Sequence, residues 1–268
     1  MSCTSYGTGK KLYDEEDYEN AIIKFTEAIT FDPKNANAYC YRGASYLMDC
    51  EFSKAIRDLN KAIKLDPKKA DAYEYRGKAY RIKGKSDYDK AIRDLNKTIE
   101  LDPERTMKLK AERALAYEHR GNDHHIKGEY DQAINDYSKA IELDPERDTA
   151  YELRGDVYRA KGQYDQAIDD YNKAIELDPE RDTAYYECRG DVYRMKGLYD
   201  LAISDLTRVI ELDSKVFPKE YNAYASRGLV YMETGQKDLA ISDLEKAISI
   251  NPNDQWKGWL AEAKAMKG

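Results

Sequence analysis

One short context recurs along the chain at a near-constant interval, and that interval limits the fold more than any other feature. Six of the seven prolines follow an aspartate or asparagine: Phe31-Asp32-Pro33, Leu65-Asp66-Pro67, Leu101-Asp102-Pro103, Leu143-Asp144-Pro145, Leu177-Asp178-Pro179 and Ile250-Asn251-Pro252. A seventh copy, Leu212-Asp213-Ser214, carries serine in the proline's place. Successive copies lie 34, 36, 42, 34, 35 and 38 residues apart. A period of about 34 residues marks an array in which each unit buries its apolar face against its neighbours.

The glycines keep the same period. Gly9, Gly43, Gly77, Gly121, Gly155, Gly190 and Gly228 share one position of the unit, and Gly84, Gly128, Gly162, Gly197 and Gly235 stand seven residues further on. The first set falls inside a helical pattern, where glycine costs roughly 1 kcal/mol against alanine. Its recurrence predicts a close approach of two helices, with the alanine twelve residues later as the facing group (Ala21, Ala55, Ala133, Ala167, Ala202, Ala240). The second set predicts the end of a first helix. Between these marks Tyr151, Gly155 and Tyr158, then Tyr164, Ala167, Tyr171 and Ala174, step by three and four, which places one apolar face on each of two helices. Asp-Pro then stops the second helix, and Asp148 or Thr149 is placed to cap the next one.

These residues follow the order Tyr-x2-Arg-Gly-x2-Tyr, then Gly-x-Tyr-x2-Ala-x3-(Tyr/Leu)-x2-Ala, then Pro. The pattern resembles the tetratricopeptide repeat over residues 2–253. The resemblance implies an all-α fold: a right-handed α-solenoid superhelix of antiparallel helix pairs whose first helices line a concave groove. Seven units are expected, at about 2–35, 36–69, 70–105, 106–147, 148–181, 182–216 and 217–253. Residues 254–268, with Trp256, Trp259, Leu260 and Met266, read as a C-terminal capping helix that closes one continuous domain.

Two departures from the family pattern occur together. Arginine precedes the glycine in units two to seven (Arg42, Arg76, Arg120, Arg154, Arg189, Arg227). The same units carry an aspartate before the large residue of the second helix (Asp58, Asp94, Asp136, Asp170, Asp205, Asp243). The first unit has neither, with Thr8 and Lys24 instead. Positions that change together across copies predict contact, here an Arg–Asp bridge inside each hairpin. Tyrosine replaces the family's tryptophan and often its phenylalanine, so hydroxyls near the core need water or a partner.

Composition narrows function. Leu, Ile, Val and Phe number 46, and 35% of residues are charged, a balance that elsewhere signals disorder; the 24 tyrosines and the strict periodicity oppose that reading. The net charge of −7 argues against nucleic acid and anionic membranes as partners. No apolar run approaches the roughly 18 residues of a membrane span. The first residues show no basic region followed by an apolar stretch, so a cytoplasmic protein is expected. Cys3, Cys40, Cys50, Cys188, His119, His124 and His125 do not suggest a metal site, and no cofactor is expected. Arg154-Gly155-Asp156, Arg189-Gly190-Asp191, Asn96-Lys97-Thr98 and Gly7-Thr8-Gly9-Lys10 mimic short functional motifs but stand at helical repeat positions. No catalytic constellation appears, so the chain is not expected to be an enzyme.

Binding is then the expected activity. The groove positions implied by the repeat frame read Glu74, Lys78, Arg81; Glu118, Asn122, His125; Glu152, Asp156, Arg159; and Glu187, Asp191, Arg194. They form a ladder of four glutamates beside one of arginine or histidine, with apolar ends at Cys40, Ala44, Leu47 and at Ala225, Leu229, Met232. Solvated charges paired along each helix would explain the same residues. The family's clamp for acidic chaperone C-termini is missing: the matching positions hold Tyr6 and Lys10, then Tyr41, then Asp71 and Tyr75. Insertions in the fourth unit (Glu104 to Ala116) and in the seventh (around Val216-Phe217-Pro218) make Leu109 and Phe217 candidates for a second contact surface. The expected role is a scaffold or adaptor that binds another protein or peptide. Alternatives are a dedicated accessory subunit of an enzyme, transporter or secretion complex, and an RNA-binding helical repeat. Self-association through the apolar ends is compatible with the sequence.

Overall fold

Each second helix ends where the Asp-Pro pairs require. The aspartate backbone leaves the helical region, and its N–H still closes on the carbonyl four residues back: Asp32 on Ala28, Asp66 on Ala62, Asp102 on Thr98, Asp144 on Ala140. A computed structural model describes residues 2–84, 87–179, 182–213 and 221–266 of the chain, and among them fifteen α-helices and no strand. No helix among the described residues is long and apolar enough to cross a membrane.

The helices come as hairpins. α1 (Ser2–Asp14) pairs with α2 (Tyr18–Phe31), α3 (Ala36–Met48) with α4 (Phe52–Leu65), α5 (Ala70–Lys83) with α6 (Tyr88–Leu101), and α7 (Thr106–Ile126) with α8 (Tyr130–Leu143). α9 (Asp148–Ala160) pairs with α10 (Tyr164–Leu177), α11 (Asp182–Met195) with α12 (Tyr199–Asp213), and α13 (Tyr221–Glu233) with α14 (Lys237–Ile250). α15 (Asp254–Ala265) closes the last hairpin, burying Trp256 against Ala225 and Ala247. The contacts gather into two compact units: residues 1–144 with four hairpins, and residues 145–268 with three hairpins and α15.

Inside a hairpin the close approach is made by the helical glycine. A Cβ on Gly43 would stand 2.7 Å from Leu59 Cγ, and one on Gly121 2.7 Å from Tyr137 Cε1. The facing group is therefore the large residue sixteen positions on, not the alanine twelve positions on. Ala55 offers only its backbone oxygen, 3.2 Å from the same Gly43 Cβ. The expected cap at Asp148 is also absent, because Arg147 holds the cap position and makes no side-chain cap bond. Asp148 instead accepts a hydrogen bond from the Tyr185 hydroxyl.

All six Arg–Asp bridges form, each with two parallel N–H···O bonds. Arg42 Nε and Nη2 donate to Asp58 at 2.6 and 2.9 Å, and Arg154 to Asp170 at 2.8 and 2.7 Å. The same geometry holds for Arg76–Asp94, Arg120–Asp136, Arg189–Asp205 and Arg227–Asp243. All six aspartates are buried, Asp136 to 1% exposure. The guanidinium lies between two tyrosines of its own helix: Arg76 between Tyr73 and Tyr80, Arg154 between Tyr151 and Tyr158, Arg189 between Tyr186 and Tyr193, Arg227 between Tyr224 and Tyr231. Aromatic faces supply the attraction that a buried cation loses with its water. The recurring tyrosines thus serve the bridge as well as the core.

Candidate functional site

The first helices carry the expected groove residues, and each unit treats them differently. In residues 1–144, α5 presents Glu74, Lys78 and Arg81. Glu74 is only 2% exposed. Its carboxylate meets Lys78 Nζ at 2.9 Å, Arg105 Nη1 at 2.7 Å and Lys108 Nζ at 3.2 Å. Burial alone would raise its pKa; these cations outweigh that effect and hold it down at about 2. Arg105 also meets Asp71 at 2.7 Å and Asp102 at 2.6 Å, and Arg81 Nε donates to Glu112 at 2.9 Å. Arg105, Lys108 and Glu112 all belong to the stretch around the fourth-unit insertion. The chain itself therefore neutralises the groove charges of α5.

α7 carries Glu118, which is buried, and Asn122, whose Oδ1 accepts the Tyr137 hydroxyl at 2.6 Å. His125 lies edge-on to Tyr130, with ring centroids 5.9 Å apart. Glu74 and Glu118 are thus buried carboxylates rather than rungs of an open ladder. The apolar end expected at Cys40, Ala44 and Leu47 is corrected for the same reason: all three are buried against neighbouring helices. Leu109 is 0% exposed, so it is an anchor of the insertion and not a second contact surface. Phe217 lies outside the described residues.

A tyrosine cluster was legible in the sequence but was not singled out there as a binding surface. Tyr13 and Tyr41 meet edge to face at 5.5 Å, Tyr6 lies 6.3 Å from Tyr41, and the Tyr13 and Tyr75 hydroxyls are 3.4 Å apart. Lys10 Nζ sits 5.0 Å from the Tyr41 ring centroid. Burial pushes the Tyr41 phenol up to about 12 and Tyr75 higher still, so both stay neutral. The signal was the run of tyrosines at the positions where a carboxylate clamp would stand.

In residues 145–268 the groove residues meet one another. Asp156 Oδ1 accepts the Tyr171 hydroxyl at 2.7 Å and Arg159 Nη2 at 2.9 Å. Arg159 also senses Asp191 on α11. Burial raises the Asp191 carboxyl, while Arg194, Arg159 and the Ser226 hydroxyl pull it back. Arg194 Nη1 meets Glu233 of α13 at 2.8 Å, and its Nε is buried without a hydrogen-bond partner. A line of alternating charge thus runs from α9 through α11 to α13. Glu152 and Glu187 lie half-buried beside it. Burial pushes the Cys188 thiol up to about 12, with Asp156 adding to the rise, which keeps it protonated at neutral pH. Among the described residues no cluster of metal-ligating side chains occurs.

Comparison with known proteins follows the same hairpins. The family model described as TPR repeat matches residues 9–49, 51–84, 121–158 and 155–188, and the one described as tetratricopeptide repeat matches 221–254. The crystal structure of MamA protein is 30% identical, covers 69% of this chain and 95% of that one, and superposes with a TM-score of 0.52. The C-terminal part of a TPR repeat-containing protein from Cytophaga hutchinsonii has a TM-score of 0.71 at 19% identity, covering 95% and 99% of the two chains. Human tetratricopeptide repeat protein 16 is 34% identical over 50 residues, a match that spans 19% of this chain and 6% of that protein. With its hairpins, its period and its family matches in agreement, the chain belongs to the tetratricopeptide repeat family.

Proposed function

We propose that the chain is a non-enzymatic scaffold that holds a peptide or protein segment against the first helices of its hairpins. The tetratricopeptide fold is in general a protein-interaction scaffold. The observation that carries the reading is the charged line on α9, α11 and α13. Asp156, Arg159, Asp191 and Arg194 are only half-buried and alternate in sign, and such a surface can match the charged side chains of an extended segment. Nucleic acid is disfavoured by the acid excess.

The test is affinity capture from native lysate with mass spectrometry, using three proteins: wild type, Glu152→Lys/Glu187→Lys on the first helices, and Lys173→Glu on the exposed side of α10. A specific partner kept by wild type and Lys173→Glu but lost by the first-helix variant supports the proposal. A partner lost only by Lys173→Glu would place binding on the second helices and overturn it.

A further inference from the structure

Five of the bridge arginines, Arg42, Arg76, Arg120, Arg189 and Arg227, make one more bond, and that bond measures how each of their hairpins is seated on the one before it. Arg42 Nη1 donates to Thr26, Arg76 Nη1 to Asn60, Arg189 Nη1 to Asn172 and Arg227 Nη1 to Thr207. Each acceptor is the ninth residue of the preceding second helix. Arg120 departs from this pattern. Its Nη1 donates to Asp89 at 2.5 Å, the second residue of α6, although Asn96 occupies the ninth position. Seven residues of helix correspond to about 10 Å.

The direction of the slip follows from the insertion. α7 has 21 residues where most first helices have 13 or 14. It starts beside the C-terminus of α6 and runs back along it, so residues added at its front push the rest of the fourth hairpin toward the N-terminus of α6 and past it. A second observation agrees. Ile126, at the far end of α7, is 85% exposed, whereas Met48, Ile82 and Met195 at the same repeat position are 52%, 49% and 45% exposed. The overhanging turn has lost part of its cover. At the near end, Arg105, Lys108 and Glu112 take the places beside Asp71, Glu74 and Arg81.

We infer that the fourth-unit insertion is a register shifter. It sets the fourth hairpin two turns out of step with the third and replaces Glu118, Asn122 and His125, as neighbours of the α5 groove residues, with the chain's own Arg105, Lys108 and Glu112. The inference deepens the groove reading and rests on it for its consequence: a segment bound along α1, α3 and α5 meets the insertion at α7 and cannot continue in register. Glu118, Asn122 and His125 then serve a different contact from Glu74, Lys78 and Arg81.

Spin-label distances test the shift without any ligand, so their failure would leave the groove reading standing. In the full chain with Cys3, Cys50 and the partly buried Cys188 changed to serine, one protein carries labels at Lys61→Cys and Lys83→Cys, and a second at Lys97→Cys and Lys127→Cys. The two pairs occupy the same repeat positions, one hairpin apart. The second distance is expected to be longer by about 10 Å; equal distances would overturn the inference. Deleting residues 106–113 from the second protein should bring its distance back to that of the first. A folded deletion variant that keeps the long distance would show that the insertion does not cause the shift. A variant that does not fold leaves the first pair of distances to decide.

Discussion

The two compact units use one hairpin design and carry different charge. The residues before Pro145 include 26 basic and 27 acidic side chains, and those from Pro145 onward include 18 and 24, so nearly all the acid excess lies in the second unit. The contrast continues on the first helices. In the first unit, the α5 carboxylates are neutralised by Lys78, Arg105 and Lys108. In the second, Asp156, Arg159, Asp191, Arg194 and Glu233 form a line of their own kind across three hairpins. Yet the Arg–Asp bridges are the same in both. The framework and the surface chemistry are therefore separable: the bridge and the glycine build the hairpin, and the first-helix side chains are left to differ.

The largest expected effect tests the shared half of that contrast. Asp58→Ala in the first unit and Asp205→Ala in the second should each cost about 3–5 kcal/mol, because each leaves a largely buried guanidinium without its carboxylate. Urea unfolding measures both. A large loss in one unit and none in the other would break the claim that the two frameworks are alike.

The next effect belongs to the first unit alone. Glu74 is held at about 2 in the folded chain against an ordinary value of 4.5. A depressed carboxylate contributes stability that is fully present above its unfolded pKa and is lost as pH falls through the folded one. Glu74→Gln should therefore lower stability by about 2–3 kcal/mol at pH 7 and flatten the loss between pH 4.5 and 2. Unfolding at a series of pH values checks it. An unchanged acid limb would mean that the α5 cluster contributes little.

A smaller effect sharpens a contrast in the turns. Where the second unit has Gly162, Gly197 and Gly235 in the left-handed region, the first unit uses Glu16 (φ 60°) and Cys50 (φ 58°) in its first two hairpins. Cys50→Gly should stabilise by about 1 kcal/mol and raise Tm by a few degrees. A lower Tm would show that the side chain makes a contact worth more than the strain.

Much of this was legible in the sequence because a repeat array writes its contacts several times over. Six copies in which Arg and Asp appear together, and one copy that lacks both, were enough to place the bridge. The hairpin limits followed from Asp-Pro because that signal acts within a few residues. Seating between hairpins was not legible. The local pattern of α7 is intact around Gly121, and the slip shows only in contacts between hairpins and their cover, such as the bond to Asp89 rather than Asn96 and the exposure of Ile126. Burial of Glu74, Glu118 and Leu109 was missed for the same reason, since it depends on what the neighbouring hairpin brings alongside. Asp148 looked like a cap because the sequence does not show that Tyr185 claims its carboxylate.

The central claim is that the first helices are the binding face, and hydrogen exchange on a captured complex tests it most directly. Amide exchange of the full chain would be compared with and without the partner retained in the affinity experiment. The account predicts added protection along α9, α11 and α13, centred on Asp156, Asp191 and Arg194, with α10, α12 and α14 unchanged. Protection confined to the second helices would contradict it.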